Sequence, residues 1–567
     1  MKDFGCDLCG LSSMPSEAVL NAHLAGKKHK KRAAELQQNQ QLPKSSKKQT
    51  SNNDKKGKKG VVKIDVEDSA ADIITFKESV GGKSTLLKGD FDLNTNFEGM
   101  IIDETSADEV AQSLFLPKRT LHNIQKHKGV SLFSSSTLDK HPEGALFGHL
   151  FPSSPSDKGL FGRKKSSPSE KTGGAVYFNT HEPFCFVTVG VQGAGKSHTS
   201  TCVLESCLVP FKPGNIVKLN SPMTSMVLHY DQNTSSICEA AGLLSPNPSI
   251  KARMNQVGHD VGAVPNDKAV ILVSPAFYKQ RKKFYGDYCV VKPLLFRWRS
   301  LTADHIKRIM RIESGENQLY VASFLNLLRG YQRQAVVPEF SDFMKQVRNV
   351  CSAGTQKGPL DQRIALLESV VAESPQNASL VGESLDLMSA TKQGIHFIIT
   401  DLTDPLLSKE EANGLFQVLT EQFRTLPTKG GKVLCLDEAH KYMDGVKADG
   451  LSEAIVNAAR LMRHDGVRLV VSTQSPKALA PELLELVSIA CLHHFHSPDW
   501  WSYLQSKLPL NQDAFERILS LNSGEAVVFA TSHDLSLSAN NIEGSHCLPL
   551  RIRPRITEDL GSSRRNS

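Results

Sequence analysis

No stretch of this sequence approaches the roughly 18 consecutive apolar residues that cross a bilayer. Its opening, "MKDFGCDLCG", also lacks the apolar core of a signal peptide. These absences predict a soluble, intracellular protein. Cysteine is sparse as well: eleven in 567 residues are too few for a disulfide scaffold. Two form a tight pair near the N-terminus and nine are scattered. Cys435, inside the apolar run "KVLCLDE", reads as a small buried residue. Charge of one sign is missing over most of the length. Residues 1–60 hold thirteen Lys/Arg against five Asp/Glu, which is the whole of the chain's net +8. Basic character is thus a local N-terminal device and not a property of the whole surface. By length, the chain has room for roughly three or four units and a large buried core.

The first positive feature is a ligand spacing. Cys6-x-x-Cys9 is followed after thirteen residues by His23 and after five more by His29. Two thiolates and two imidazoles supply the tetrahedron that Zn2+ prefers. Val19, Leu20 and Leu24 between them recur at helical spacing and make a small core. With so little to bury, the metal must supply the folding energy. "LNAHLAGKKHKK" and the long His spacing resemble the matrin-like branch of two-Cys two-His zinc fingers, over residues 4–32. That resemblance implies contact with RNA, DNA or protein. Lys27, Lys28, Lys30, Lys31 and Arg32 follow at once and suit phosphate contact; a solvated face or a nuclear-import signal fits them too. Residues 33–60, rich in Gln, Ser, Asn and Lys, read as a disordered basic linker. "KKGKK" adds to an expected nuclear location.

Residues 61–175 give the weakest pattern. "VVKIDV" and "ADIITF" suggest short strands, whereas "SLFSSSTLDKHPEGALFGHLFPSSPSDKGLFGRKKSSPSEKTGG" predicts loop. "GGKST" at 81–85 ends like a phosphate loop, but Lys77 stands where the motif needs glycine.

The complete motif lies at 190–197. "GVQGAGKS" matches GxxxxGK[ST], after the apolar run "FCFVTVG" and before the helix-like "SHTSTCVLESCL". Gly190, Gly193 and Gly195 let backbone N–H groups curl around a phosphate at a helix N-terminus, with His198 next along that helix. Lys196 is expected to reach the β- and γ-phosphates of ATP, and the Ser197 hydroxyl to bind Mg2+. The acidic partner is "GKVLCLDEAHKYM", a buried strand ending in Asp437 and Glu438. Asp437 would hold Mg2+ through water, and Glu438 is the candidate general base. The chain is therefore read as an ATPase.

"DEAH" invites a helicase label. Superfamily-two helicases carry a second RecA-like domain with a QxxGRxGR-type motif, and the 129 residues after Glu438 contain none. They contain "RLVVSTQ", a strand ending in Gln474, followed by a proline-containing loop. These features resemble the HerA/FtsK-type ATPases of the ASCE class, over about residues 176–560. The resemblance implies that Gln474 senses the γ-phosphate or the attacking water. It also implies a homo-oligomeric ring, often of six, completed by an arginine in trans; Arg460, Arg463, Arg468, Arg551, Arg553 and Arg555 are the candidates. HerA proper has an N-terminal β-barrel, for which residues 61–175 show no convincing pattern.

Further strands are expected at 227–231, 269–274, 396–404, 491–496 and 525–531, alternating with helices. Ser408 with Glu411 makes a capping box, and Ala412, Leu415, Phe416, Leu419 and Phe423 form a core stripe. The sequence separation of 241 positions from Lys196 to Asp437 exceeds what a compact core needs, so about 276–390 should be a helical insertion. The expected fold is α/β: a RecA-like P-loop NTPase with a mainly parallel, doubly wound sheet, plus a small N-terminal zinc finger. The expected units are 1–32 finger, 33–60 linker, 61–175 undefined, 176–560 ATPase and 561–567 tail. Two functions fit: a motor acting on nucleic acid and targeted by the finger, or a nucleotide-switched RNA-, DNA- or protein-binding adaptor with little turnover.

Overall fold

In the computed structural model, the described residues are 4–6, 11–14, 130–151, 174–286, 289–312, 319–350, 357–445, 450–535 and 547–561. The chain divides into two units, Met1–Asn96 and Phe97–Ser567. In the first, strands β1 (Phe4–Cys6) and β2 (Leu11–Met14) pair antiparallel. The expected strands near 61–76, the linker and the 81–85 decoy lie outside the described residues.

The second unit is built on one sheet of fifteen strands. Eight of these are parallel throughout. In sheet order they are β10 (Val291–Pro293), β9 (Ala269–Val273), β11 (Phe397–Thr403), β8 (Thr224–Asp231), β12 (Lys432–Leu436), β13 (Val467–Thr473), β6 (Cys185–Val189) and β14 (Ile489–Leu492). Beyond β14 the pairing turns antiparallel through β15 (Glu525–Ala530), β17 (Cys547–Ile552), β4 (Gly144–Leu150), β5 (Ala175–Phe178) and β3 (Leu132–Ser134). Two-residue strands β16 (His533–Asp534) and β7 (Val217–Lys218) add to β3 and β4.

The central strands are apolar because both their faces are covered. Along β12 and β13, Leu434, Leu436, Leu469 and Val471 pack into one core, while Val433, Cys435 and Val470 pack into the other. Period-two alternation thus feeds two cores and leaves no polar face. Cys435 is buried, as its apolar context predicts, and the described cysteines from Cys185 to Cys547 are free thiols.

The predicted strands are found, with one shortened. β14 ends at Leu492, so His493–His496 have left the sheet. The capping box forms: Ser408 N donates to Glu411 Oε2 at 2.8 Å and Glu411 N to Ser408 Oγ at 3.3 Å. Its helix, Lys409–Thr425, buries the expected stripe. Between β9 and β11, helices at Tyr278–Tyr285, Ala303–Ile309, Leu319–Gln334, Phe340–Val350 and Lys357–Val370 make up about half of the expected insertion. The Trp298 ring lies against Phe340 and Phe343 of the helix Phe340–Val350. The insertion is not purely helical, since β10 adds an edge strand beside β9.

One expectation is corrected. The Ser-, Pro- and Gly-rich stretch beginning at Ser131 predicts loop, yet β3 and β4 come from it and join the sheet. Phe133, Leu146 and Phe147 are buried there, so apolar residues spaced among turn formers were sufficient for strands once a neighbouring edge was available. No helix among the described residues is long and apolar enough to cross a membrane.

Candidate functional site

The site lies where the chain reverses direction across the sheet. β6 has β13 on one side and β14 on the other, while the next long strand, β8, is three places away. Such a switch point leaves a crevice at the carboxyl ends of the strands. Register fixes what faces it. Val189 pairs with Thr473, Leu436 with Val471, and Leu436 with Leu228. The residues that follow, Gly190, Gln474, Asp437 and His229, are therefore brought to one edge from positions far apart in the chain.

The phosphate loop follows β6 directly and ends in the helix Lys196–Leu208, with Gly195 as its N-cap. Gly193 and Gly195 have φ of +77° and +108°, backbone that a side chain would strain. Gly190 is needed for a different reason: a Cβ there would come within 2.8 Å of the His493 Cβ. Below the loop, Thr199 Oγ1 lies 2.9 Å from His493 Nε2, and His493 Nδ1 lies 2.9 Å from the Glu525 carbonyl. Burial holds the His493 pKa down to about 4, so the ring is neutral. Nδ1 must then donate to Glu525 O, leaving Nε2 to accept from Thr199.

Lys196 is 4% exposed and folds back over its loop. Its Nζ donates to Val191 O at 3.0 Å and lies 3.9 Å from Glu438 Oε1. Burial lowers its pKa, and the carboxylates of Glu438 and Asp437 oppose that shift. Ser197 and His198 follow on the same helical turn. His198 Nε2 pairs with the Arg553 carbonyl at 2.9 Å, tying the start of this helix to the C-terminal segment.

Glu438 stands in left-handed backbone, φ +49°, at the turn after β12. Strain of this kind at a non-glycine residue clusters at functional sites. Its Oε2 accepts from Gln474 Nε2 at 2.7 Å, and His440 Nε2 lies 3.4 Å from the same oxygen. Gln474 N donates to His440 Nδ1 at 3.3 Å. His440 is held neutral, its pKa lowered to about 4 by burial and then by Lys441 and Lys196. The Glu438 pKa is raised, first by burial and then by the Asp437 charge beside it. Asp437 is nearly buried, and its Oδ2 pairs with His229 Nδ1 at 3.0 Å. Burial works against a charged His229, but the bond to Asp437 and the charges of Asp401 and Asp437 outweigh it and raise its pKa.

The donor set fits a magnesium nucleotide. Lys196 and the N-terminus of a thirteen-residue helix suit a polyphosphate, and the Ser197 hydroxyl with the Asp437 carboxylate are hard oxygen donors for Mg2+. The structure thus brings together Gly190, Gly193, Gly195, Lys196, Asp437, Glu438 and Gln474. His229, His440 and His493 were missed by sequence reasoning. The sequence signal at His493 is its place directly after the apolar run of β14, which the pattern extends to His496 and the sheet ends at Leu492.

Three of the six candidate trans arginines are corrected. Arg553 is fully buried, with Nη1 on Glu205 Oε2 at 2.6 Å and Nε on Leu146 O at 2.8 Å. Arg468 is spent on the carbonyls of Thr180, His181 and Gly466. Arg555 is 1% exposed, beside Asp559. Internal partners turn these side chains inward. Arg460, Arg463 and Arg551 are exposed, Arg460 beside Glu482 and Arg551 beside Glu525.

Of the finger ligands, Cys6 is the last residue of β1, whereas Cys9, His23 and His29 lie outside the described residues.

Among solved structures, the chain is similar to VirB4 of Thermoanaerobacter pseudethanolicus, at 14% identity and TM-score 0.39, covering 73% of this chain and 96% of that one. It is also similar to the bacterial conjugative coupling protein TrwBdeltaN70 in complex with sulphate, at 12% identity and TM-score 0.37, covering 67% and 87%. The genome packaging NTPase B204 from Sulfolobus turreted icosahedral virus 2 in complex with ATP-gammaS aligns at 18% identity and TM-score 0.20, covering 24% of this chain and 62% of that one. No curated protein matches the chain. At the N-terminus the assignment is direct: residues 6–29 match the family model of a zinc-finger of C2H2 type.

Proposed function

We propose that this protein is an ATP-hydrolysing motor of the HerA/FtsK type that acts on nucleic acid and is directed there by its zinc finger and the basic run behind it. The supporting observation is the position of one carboxylate: Glu438 lies between Lys196, at the start of the helix after β6, and Gln474, at the end of β13. Lys196 neutralises the terminal phosphates. Ser197 and Asp437 would hold Mg2+, which would supply positive charge at the phosphate oxygens. Glu438 accepts a proton from the attacking water as oxygen adds to the γ-phosphorus and the bond to the β–γ bridging oxygen breaks. Gln474 orients that carboxylate. A raised pKa makes Glu438 a stronger base than an ordinary carboxylate. The working form is a homo-oligomeric ring in the nucleus, with Arg460, Arg463 or Arg551 reaching the neighbouring subunit's site.

One observation favours the alternative of a nucleotide-switched adaptor. Both oxygens of Glu438 are already engaged, one facing Lys196 and the other bonded to Gln474, which suits slow turnover until a ligand redirects them. Steady-state ATP hydrolysis with and without DNA or RNA separates the two. Stimulation by nucleic acid supports the motor; tight ATP binding with negligible turnover in every condition supports the switch. Absence of ATP binding removes both.

A further inference from the structure

Three side chains of different chemistry meet beside the phosphate site without a shared role in the hydrolysis described above. His229 lies on β8, and the register of β8 with β12 places it level with Asp437. Cys238 precedes the short helical turn Glu239–Leu244 and is fully buried. One ligand atom from each of His229, Cys238 and Asp437 lies within 4.8 Å of the other two. His229 is 3% exposed and Asp437 is 9% exposed.

The bland explanation covers two of the three. A buried histidine that donates to Asp437 would orient that carboxylate. It gives no reason for a thiol at the same point, where an aliphatic side chain would fill the space. Imidazole, thiolate and carboxylate together are a donor set for zinc-class ions, whereas magnesium takes oxygen ligands. Three protein ligands leave a fourth position for water, the arrangement of an exchangeable site and not of a closed structural one.

We propose that His229, Cys238 and Asp437 form a second transition-metal site, of the zinc class, which shares Asp437 with magnesium and so makes occupancy by the two ions mutually exclusive. Zinc-class ions at this position switch the site off. The binding stands on geometry alone; its inhibitory consequence rests on the ATP hydrolysis proposed above. The proton balance is simple. The Cys238 thiol, which burial and then the Asp437 and Asp401 charges keep protonated in the metal-free protein, releases its proton to solvent. The proton that joins His229 to Asp437 leaves, or moves to Nε2, which faces Ser236 Oγ at 3.4 Å.

The test uses the full chain carrying Cys6→Ser and Cys9→Ser, so that the finger contributes no thiolate. Cobalt(II) is titrated in, and its thiolate-to-metal absorption is followed. One saturable site with a thiolate band is expected, displaced by zinc, and lost in both Cys238→Ser and Cys238→Ala; His229→Gln should weaken it. No thiolate band, or a band that survives both Cys238 replacements, overturns the site. ATP hydrolysis is then measured at several magnesium concentrations. Zinc inhibition should weaken in proportion to added magnesium, and inhibition indifferent to magnesium overturns the sharing of Asp437. Cobalt binding in a protein with no turnover under any condition upholds the site and removes the proposed motor. Turnover without cobalt binding does the reverse.

Discussion

Gln474 Nε2 donates a 2.7 Å hydrogen bond to Glu438 Oε2, joining the ends of two adjacent parallel strands at the mouth of the phosphate site. The bond holds the candidate base in one orientation although its backbone is in the strained left-handed region. It also leaves the base dependent on its neighbour. Glu438→Gln should therefore keep ATP binding and lower turnover by about 10²–10⁴-fold. Gln474→Ala should lower turnover by less and leave nucleotide affinity nearly unchanged. Filter binding beside a phosphate-release assay distinguishes these effects; wild-type turnover in Glu438→Gln would remove its role as base.

Lys196 supplies the positive charge closest to Glu438. Lys196→Ala should abolish most ATP binding, because no other lysine of the motif can reach the phosphates. Isothermal titration with a non-hydrolysable ATP analogue tests this directly, and affinity within a few fold of wild type would contradict it.

The pH dependence of turnover follows from Glu438. Its pKa lies above the ordinary carboxylate value of 4.5, and a base works only when deprotonated. The kcat/KM should rise with pH through a limb above 4.5 and then level off. In Glu438→Gln that limb should vanish. A limb unchanged by the substitution would assign it to another group.

Glu205 and Arg553 form a fully buried pair in which Glu205 also accepts from the backbone of Ile556 and Thr557. Arg553→Met leaves a buried carboxylate without its cation, at a cost of about 3–5 kcal/mol. Burial alone would raise the Glu205 pKa, but Arg553 and the bonds from Thr557 overcome it and hold it low. A depressed folded-state pKa contributes stability that is present above the ordinary carboxylate range and lost as pH falls below it. Urea unfolding at neutral and acidic pH should show the wild type losing stability on acidification, with the Arg553→Met gap narrowing. A substitution that costs under 1 kcal/mol, the value of an exposed pair, would show that the pair is not internal.

Finger and motor should be separable. Removing residues 1–60 takes away the whole net positive charge and no residue of the phosphate site. Basal hydrolysis should persist, while nucleic-acid affinity and its salt dependence should both fall. Unchanged affinity would move nucleic-acid binding into the sheet-bearing unit.

Local pattern carried much of the fold. The phosphate loop, the strands at 185–189 and 432–436 and the capping box at Ser408 were legible because their cues span only a few residues: glycines before a helix, apolar runs, a hydroxyl three places before a carboxylate. The strands at 132–134 and 144–150 were not legible. Their neighbours in sequence are turn formers, and their stabilising partners, β5 and β17, are contributed from elsewhere in the chain.

The site divides the same way. The sequence by itself determined where the motif's lysine and hydroxyl, the two carboxylates and the glutamine stand locally, since glycines before a helix and apolar runs before polar residues mark a helix start and two strand ends. Only the tertiary structure decided which groups meet them. His229 reaches Asp437 through the register of β8 against β12; His493 supports Thr199 because β14 pairs with β6; and Arg553 is internal because the C-terminal segment crosses the phosphate-loop helix. Those partners are 208, 294 and 351 residues apart in the chain. Sheet register and burial are cooperative properties of the whole core, so no local residue pattern encodes contacts at such separations.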